Sequence, residues 1–206
     1  MEPSPPAVDP IVDQLEHQGW SATPEWLAPA LVTALAREIR RERAAGAFRC
    51  AGVGRDGRVE TAVRGDEILW LDEAAASPAL RAVLARLEGL REAANRDLQL
   101  GAAEVELHFA VYPAGAAYAV HVDRFRDDDA RVLSLVLYLN EAWDAADGGA
   151  LRLHLSAGPG AGYVDVVPRG GTLAVFLADR FPHEVLPARC ERLSLAGWFR
   201  RRAIRR

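Results

Sequence analysis

Apolar residues recur at helical spacing from Ile11 through Val12 to Leu15, which predicts a short helix ending near Gly19. A longer helix is expected from about Glu25 to Ala45. There Leu27, Leu31, Leu35 and Ile39 form one stripe opposite Arg and Glu, and Gly46 stands where a C-cap belongs. From Phe48 to Asp72 the period shortens to alternation in "RVETAV" and "EILWL", with Asp56-Gly57 as a turn signal, which predicts a hairpin and a further strand. A second long helix is expected from about Ser77 to Asp97 on Leu80, Val83, Leu84, Leu87 and Leu90. From Glu104 onward only strand patterns remain: "EVELHFAVY", "VLSLVLYL", "ALRLHL", "YVDVV", "TLAVFL", "HEVL" and "RLSLAGWF", separated by Gly, Pro and Asp turns. So many short strands in so short a span imply two facing sheets or a closed barrel. The expected class is α+β, with a jelly-roll core and the N-terminal helices packed on one sheet. The expected organisation is a disordered 1–6, a helical support over 7–100 and a β core over 101–200, forming one structural domain. No internal repeat stands out.

Composition narrows the chemistry. The chain has 206 residues, half of them hydrophobic, enough for one substantial domain. A net charge of -4 argues against a polyanion binder, so no nucleic acid is expected. The run Arg200, Arg201, Arg202, Arg205 and Arg206 reads as a solvated tail. Every basic residue is arginine, which removes lysine Schiff-base and lysine general-base mechanisms. Cys50 and Cys190 are too isolated for a CxxC pair or zinc knuckle and read as reduced thiols. The opening "MEPSPPAVDP" has neither a basic nor an apolar targeting region, and no long apolar window follows. A soluble cytoplasmic protein, with no membrane partner, is the expectation.

The segment "YPAGAAYAVHVD" ends in His121-Val-Asp123, and His183 follows far downstream. On a strand, His121 and Asp123 project to one side and can take adjacent positions on one metal. With His183 they make two imidazoles and a carboxylate, the set that leaves positions open on a mononuclear non-haem Fe(II). Arg192, Ser194 and Trp198 share the inward face of "RLSLAGWF", and a buried guanidinium there needs an anion. A dicarboxylate chelating iron at one end and meeting Arg192 at the other satisfies both demands. Tyr112 and Tyr138 close two apolar strands and can each donate a hydrogen bond to such a carboxylate, or serve simply as core. Gly52-Val-Gly54-Arg-Asp-Gly57 matches GxGxxG but leads into strand-like residues rather than a helix, so it reads as a loop. Arg64-Gly65-Asp66 has no use as an adhesion signal in a cytosolic enzyme, and no GxSxG elbow exists for a serine hydrolase. His108 and His154 are read as structural or surface residues without matched partners.

Taken in order, "IVDQLEHQGW", "RGDEILWLDE", "YPAGAAYAVHVD", "LYLNEAWDAADGGALRL", "FLADRFPHEVLPA" and "ERLSLAGWF" resemble the 2-oxoglutarate- and Fe(II)-dependent prolyl hydroxylases of the oxygen-sensing type and their bacterial relatives. The resemblance implies a double-stranded β-helix core and iron held by His121, Asp123 and His183. It implies 2-oxoglutarate anchored by Arg192 and Tyr138, with Tyr112, Leu151, Val185 and Trp198 lining the pocket. It further implies O2 as co-substrate, ascorbate as reductant, a loop over about Val53 to Arg64 that covers the substrate, and Asp66 with Arg131 as a supporting pair near the entrance. Arg124-Phe125 and the acidic run Asp127 to Asp129 resemble bacterial members more than animal oxygen sensors. A protein substrate bearing a target proline, such as elongation factor Tu, follows from that. Two alternatives stay open: an oxygenase of a small molecule or a non-prolyl residue, and a non-catalytic cupin-like sensor of metal and dicarboxylate.

Overall fold

The computed structural model describes residues 9–52, 59–60, 63–124, 130–155 and 162–202. Among the described residues three α-helices precede the β-rich half: α1 (Asp9–Gln18), α2 (Pro29–Ala44) and α3 (Pro78–Leu98). Both long helices carry proline in their first turn, where its missing N–H costs nothing. Ser77 caps α3, its hydroxyl accepting from the Leu80 amide at 3.1 Å.

Two local expectations need correction. Helix α2 starts at Pro29, not near Glu25, because the preceding residues are used elsewhere: Glu25 takes a positive φ of 54°, and the Leu27 amide donates to the Gly171 carbonyl at 3.0 Å. Leu27 and Trp26 are buried from a loop, so Leu27 falls in the helical stripe only by spacing. Trp20–Thr23, beyond the first helix, is a strand, β1, whose four residues are too few to show a period. The anticipated hairpin reduces to β2 (Arg49–Cys50) against β3 (Glu67–Trp70). Arg58, Thr61 and Ala62 of "RVETAV" lie outside the described residues, and Val59, Glu60 and Val63 are in no strand.

The remaining strands are β4 (Glu104–Tyr112), β5 (Tyr118–His121), β6 (Arg131–Tyr138), β7 (Leu151–His154), β8 (Tyr163–Val166), β9 (Leu173–Leu177), β10 (His183–Val185) and β11 (Arg192–Arg200). They form two antiparallel sheets, ordered β1-β9-β6-β11-β4-β3-β2 and β5-β10-β7-β8. The fold is a jelly-roll, as the strand pattern predicted.

Period-two alternation divides the larger sheet's residues between its faces. Phe109, Val111, Leu133, Leu137, Leu193, Leu195 and Phe199 join Leu35, Ile39, Val83, Leu87 and Leu90 of the helices in one core. Each fully buried side chain of this kind contributes roughly 1.5–3 kcal/mol. The intervening residues, among them His108, Tyr112, Ser134, Arg192 and Trp198, face the smaller sheet and line a cavity. At Gly197 a Cβ would collide with the Glu106 carbonyl oxygen, so β11 and β4 approach there as only glycine permits. Buried Asn140 ties the sheet to the next turn, accepting from the Leu193 amide and donating to the Pro168 carbonyl, both at 2.7 Å. No helix among the described residues is long and apolar enough to cross a membrane.

Candidate metal centre

Strand β5 ends at His121, so Asp123 lies in the bend beyond it rather than on the strand, as simple alternation had placed it. β10 pairs antiparallel with β5 and sets His183 opposite His121, and the bend carries the Asp123 carboxylate to both imidazoles. One ligand atom each from His121, Asp123 and His183 lie within 4.8 Å of one another. The Nε2 atoms of His121 and His183 stand 3.6 and 3.5 Å from the two Asp123 carboxylate oxygens.

The surroundings suit a cation. His121 Nδ1 meets the Ala119 carbonyl at 2.8 Å, and His183 Nδ1 meets the Phe181 carbonyl at 3.0 Å. A carbonyl accepts only, so each Nδ1 carries the proton and each Nε2 presents a lone pair to the common point. The Ser134 hydroxyl donates to Asp123 at 2.6 Å. Burial pushes the Asp123 carboxyl up, but His183, His121 and the Ser134 hydrogen bond outweigh it and hold the group ionised, well below the usual range. Burial also pulls His183 down, against the pull of Asp123, which favours the neutral ligand form. Tyr118 stacks on His121 at 3.6 Å between ring centroids, and Phe176 meets His183 edge-on at 4.8 Å.

Ser134 was not anticipated, although its position in "VLSLVLY" gives a signal: a lone hydroxyl on the face that also carries Tyr138. Ser134→Ala is expected to weaken metal binding about 10- to 100-fold while the protein stays folded, because the carboxylate loses the bond that orients it. Titration with Mn(II) or Fe(II) measures this, and unchanged affinity would remove Ser134 from the site.

A cavity of about 630 Å³ opens from these three residues. Tyr112, Leu151, Val185, Arg192 and Trp198 line it, while Tyr138 sits behind, its ring 5.0 Å from the Arg192 guanidinium carbon. Arg192 is 2% exposed. Its Nε donates to the Gly149 carbonyl at 3.0 Å and one terminal nitrogen to the Ser194 hydroxyl at 3.4 Å. No carboxylate among the described residues pairs with it, and the buried Tyr138 hydroxyl has no partner either. A buried guanidinium without an anion costs several kcal/mol. An acidic ligand entering the cavity would relieve it and take the Tyr138 hydrogen bond as well. Burial raises both phenols, Tyr112 and Tyr138, so they remain protonated donors.

Three other expectations change. Asp66 is engaged by Arg64, in a bidentate contact of 2.7 and 3.0 Å, rather than by Arg131. Arg131 instead donates to the Asp123 carbonyl at 3.1 Å and lies over Trp198 at 3.5 Å. His154 has a partner after all, Glu184 at 3.1 Å. His108 lines the cavity between Trp70 and Trp198, at centroid distances of 4.8 and 5.6 Å. Burial, aided by Arg64, lowers its pKa to about 4, so the ring is neutral. Its position two and four residues before Ala110 and Tyr112 on one strand face was the signal for it. Residues 1–8, most of the Gly52–Gly57 and Val53–Arg64 segments, Phe125, Asp127 to Asp129, Arg205 and Arg206 lie outside the described residues.

Known proteins resemble this chain in sequence and fold. The profile of the 2OG-Fe(II) oxygenase superfamily matches residues 107–200. A prolyl-4-hydroxylase structure from Pseudomonas putida is 47% identical and covers 96% of this chain and 100% of its own, with a TM-score of 0.85. A prolyl hydroxylase from Trichoplax adhaerens, in complex with a hypoxia inducible factor oxygen degradation domain peptide fragment, is 25% identical with a TM-score of 0.84, covering 94% of this chain and 88% of its own. The hypoxia-inducible factor prolyl hydroxylase of Caenorhabditis elegans is 28% identical over 204 residues, 92% of this chain but 27% of that protein. The chain thus spans between a quarter and a third of the length of the curated relatives it first matches, at 27% and 33%.

Proposed function

Because the chain belongs to the 2-oxoglutarate- and Fe(II)-dependent prolyl hydroxylase family, we propose that it hydroxylates a prolyl residue of a protein substrate. In the same turnover 2-oxoglutarate and O2 become succinate, CO2 and the hydroxyl oxygen. The observation that carries the reading is an anion-seeking Arg192 in the same cavity as the His121, Asp123 and His183 cluster.

Within this reading His121, Asp123 and His183 hold Fe(II), which supplies the redox chemistry that couples O2 reduction to decarboxylation and hydroxylation. Arg192 and Tyr138 take the far carboxylate of 2-oxoglutarate, and Tyr112 presents a second phenol along the cavity wall. Gly149 and Ser194 orient the guanidinium before the co-substrate arrives, so little freedom is lost on binding. Leu151, Val185 and Trp198 exclude water from the reacting atoms.

A polypeptide as prime substrate is supported by the peptide held in the Trichoplax relative. Elongation factor Tu is the protein we assign, on the bacterial character of Arg124-Phe125 and the acidic run after it. The reaction is placed in the cytoplasm, where exposed Cys50 and Cys190 would stay reduced. Peptide mapping of elongation factor Tu after incubation with enzyme, Fe(II), ascorbate and 2-oxoglutarate should find one added oxygen on a proline. Added oxygen on another residue type, or on a metabolite alone, would replace this reading by a different oxygenase. Metal and dicarboxylate binding without succinate formation would make the protein a sensor.

A further inference from the structure

Trp70 closes β3 and is 38% exposed, and it borders two spaces at once. One is the cavity above the metal ligands. The other is a groove of about 410 Å³ between the first turns of α3 and the start of β4. Its floor is apolar, from Leu71, Leu80, Leu84 and Leu107, and its rim carries Glu73 and Glu104.

Strand pairing explains why the groove is open. β3 pairs with β4 only over His108 to Val111. The Leu71 amide then donates to the Leu107 carbonyl at 3.0 Å, and the chain turns away into a short helical turn at Glu73–Ala75. On its other edge β4 is paired with β11 all the way to Glu104. Backbone groups of successive strand residues point to alternate neighbours, so the N–H and C=O of Val105 face the side of the Leu107 carbonyl. No strand stands opposite them among the described residues. A free strand edge beside apolar side chains accepts an extended segment by strand addition.

The charge of the rim indicates what kind of segment. Glu106 is met by Arg200 at 3.3 Å and Arg131 at 3.9 Å. Glu73 and Glu104 are exposed and have no basic partner among the described residues. We infer that the β4 edge docks the part of the polypeptide substrate lying outside the cavity: an extended segment with an apolar side chain over Leu80 and Leu84 and a basic residue against Glu73 or Glu104. The inference rests on the reading of the prime substrate as a polypeptide. Trp70 supplies the continuity, since a chain leaving the cavity past its ring enters the groove directly.

The test is fluorescence anisotropy with a fluorescein-labelled peptide of alternating threonine and leucine, arginine at each end, titrated with the whole protein. Wild type and His183→Ala should bind alike, because docking does not need the metal. Glu73→Arg with Glu104→Arg should weaken binding at least about tenfold, as should a peptide ending in glutamates. Val105→Pro should do the same through the lost N–H, which β11 does not use, and proline is tolerated at such an edge. Thermal melts identify any variant that has merely unfolded, and the charge-reversed pair carries the test if Val105→Pro does. No saturable binding to wild type overturns the inference, as does equal binding by the folded variants or loss confined to His183→Ala. A wild-type dimer that Val105→Pro dissolves, without peptide binding, would assign the edge to a second copy and also overturn it. Failure to hydroxylate any proline would leave these titrations unchanged, so the two readings fail separately.

Discussion

Anaerobic addition of Fe(II) and 2-oxoglutarate to the wild-type protein is expected to give a visible charge-transfer band that His183→Ala lacks, along with all succinate formation. His183 is buried, its Nδ1 is fixed by the Phe181 carbonyl, and its Nε2 lies 3.5 Å from Asp123. Among the described residues no further ligand stands beside it, since Phe176 covers the ring on one side and His121 is already part of the set. Loss of an outer-shell partner alone costs about 10- to 100-fold in metal affinity, so loss of a ligand should exceed that. The substitution removes an imidazole from the smaller sheet's side of the cavity without disturbing the helical core, and the variant should still melt cooperatively. A variant that keeps both band and turnover would show that the metal is held elsewhere. A wild type without the band, yet folded, would point to another metal or to no catalysis.

Arg192→Ala should raise the dissociation constant for 2-oxoglutarate by about 30-fold to several thousand-fold, equivalent to roughly 2–5 kcal/mol, while metal affinity is kept. Arg192 is 2% exposed and no protein carboxylate among the described residues compensates its guanidinium, so the cavity gains an anion partner only when a ligand enters. Arg192→Lys should recover little. The contacts to Gly149 and Ser194 hold a planar fork, and a point ammonium cannot make them while also reaching a carboxylate in two places. Calorimetric titration of the Mn(II)-loaded variants with 2-oxoglutarate measures the effect directly. Affinity within a factor of a few of wild type in Arg192→Ala would move the anion clamp to another residue, with Arg64 and Arg131, whose side chains are 13% and 21% exposed, the other mostly buried cations on the cavity wall among the described residues.

Particular residues show where the sequence was sufficient. The helical stripes on Leu35 and Ile39, and on Val83, Leu87 and Leu90, became the buried faces of α2 and α3, because a stripe at helical spacing has only one way to leave water. The alternation in "EVELHFAVY", "VLSLVLYL" and "RLSLAGWF" became β4, β6 and β11 for the equivalent reason in strands. Strand β1 was not legible, since four residues at the edge of a sheet are held by their ladder with β9 and not by any period of their own. The start of α2 was misplaced because Leu27 fits the stripe, while its amide is claimed by a carbonyl 144 residues away in the chain, at Gly171.

The sequence by itself determined the class of the fold, the inward face of β11 that carries Arg192, Ser194 and Trp198, and the residue types gathered for chemistry at His121, Asp123, His183 and Arg192. Those follow from local periodicity and from the rarity of inward-facing charge, both properties of short windows. Only the tertiary structure decided that β10 lies against β5, that Ser134 reaches Asp123, that Asp66 belongs to Arg64, and that β4 outruns β3 to leave an open edge. Each of these is a meeting of segments distant in sequence or a mismatch in strand length. Register and partner choice depend on how whole sheets pack, and no periodicity within one segment encodes them.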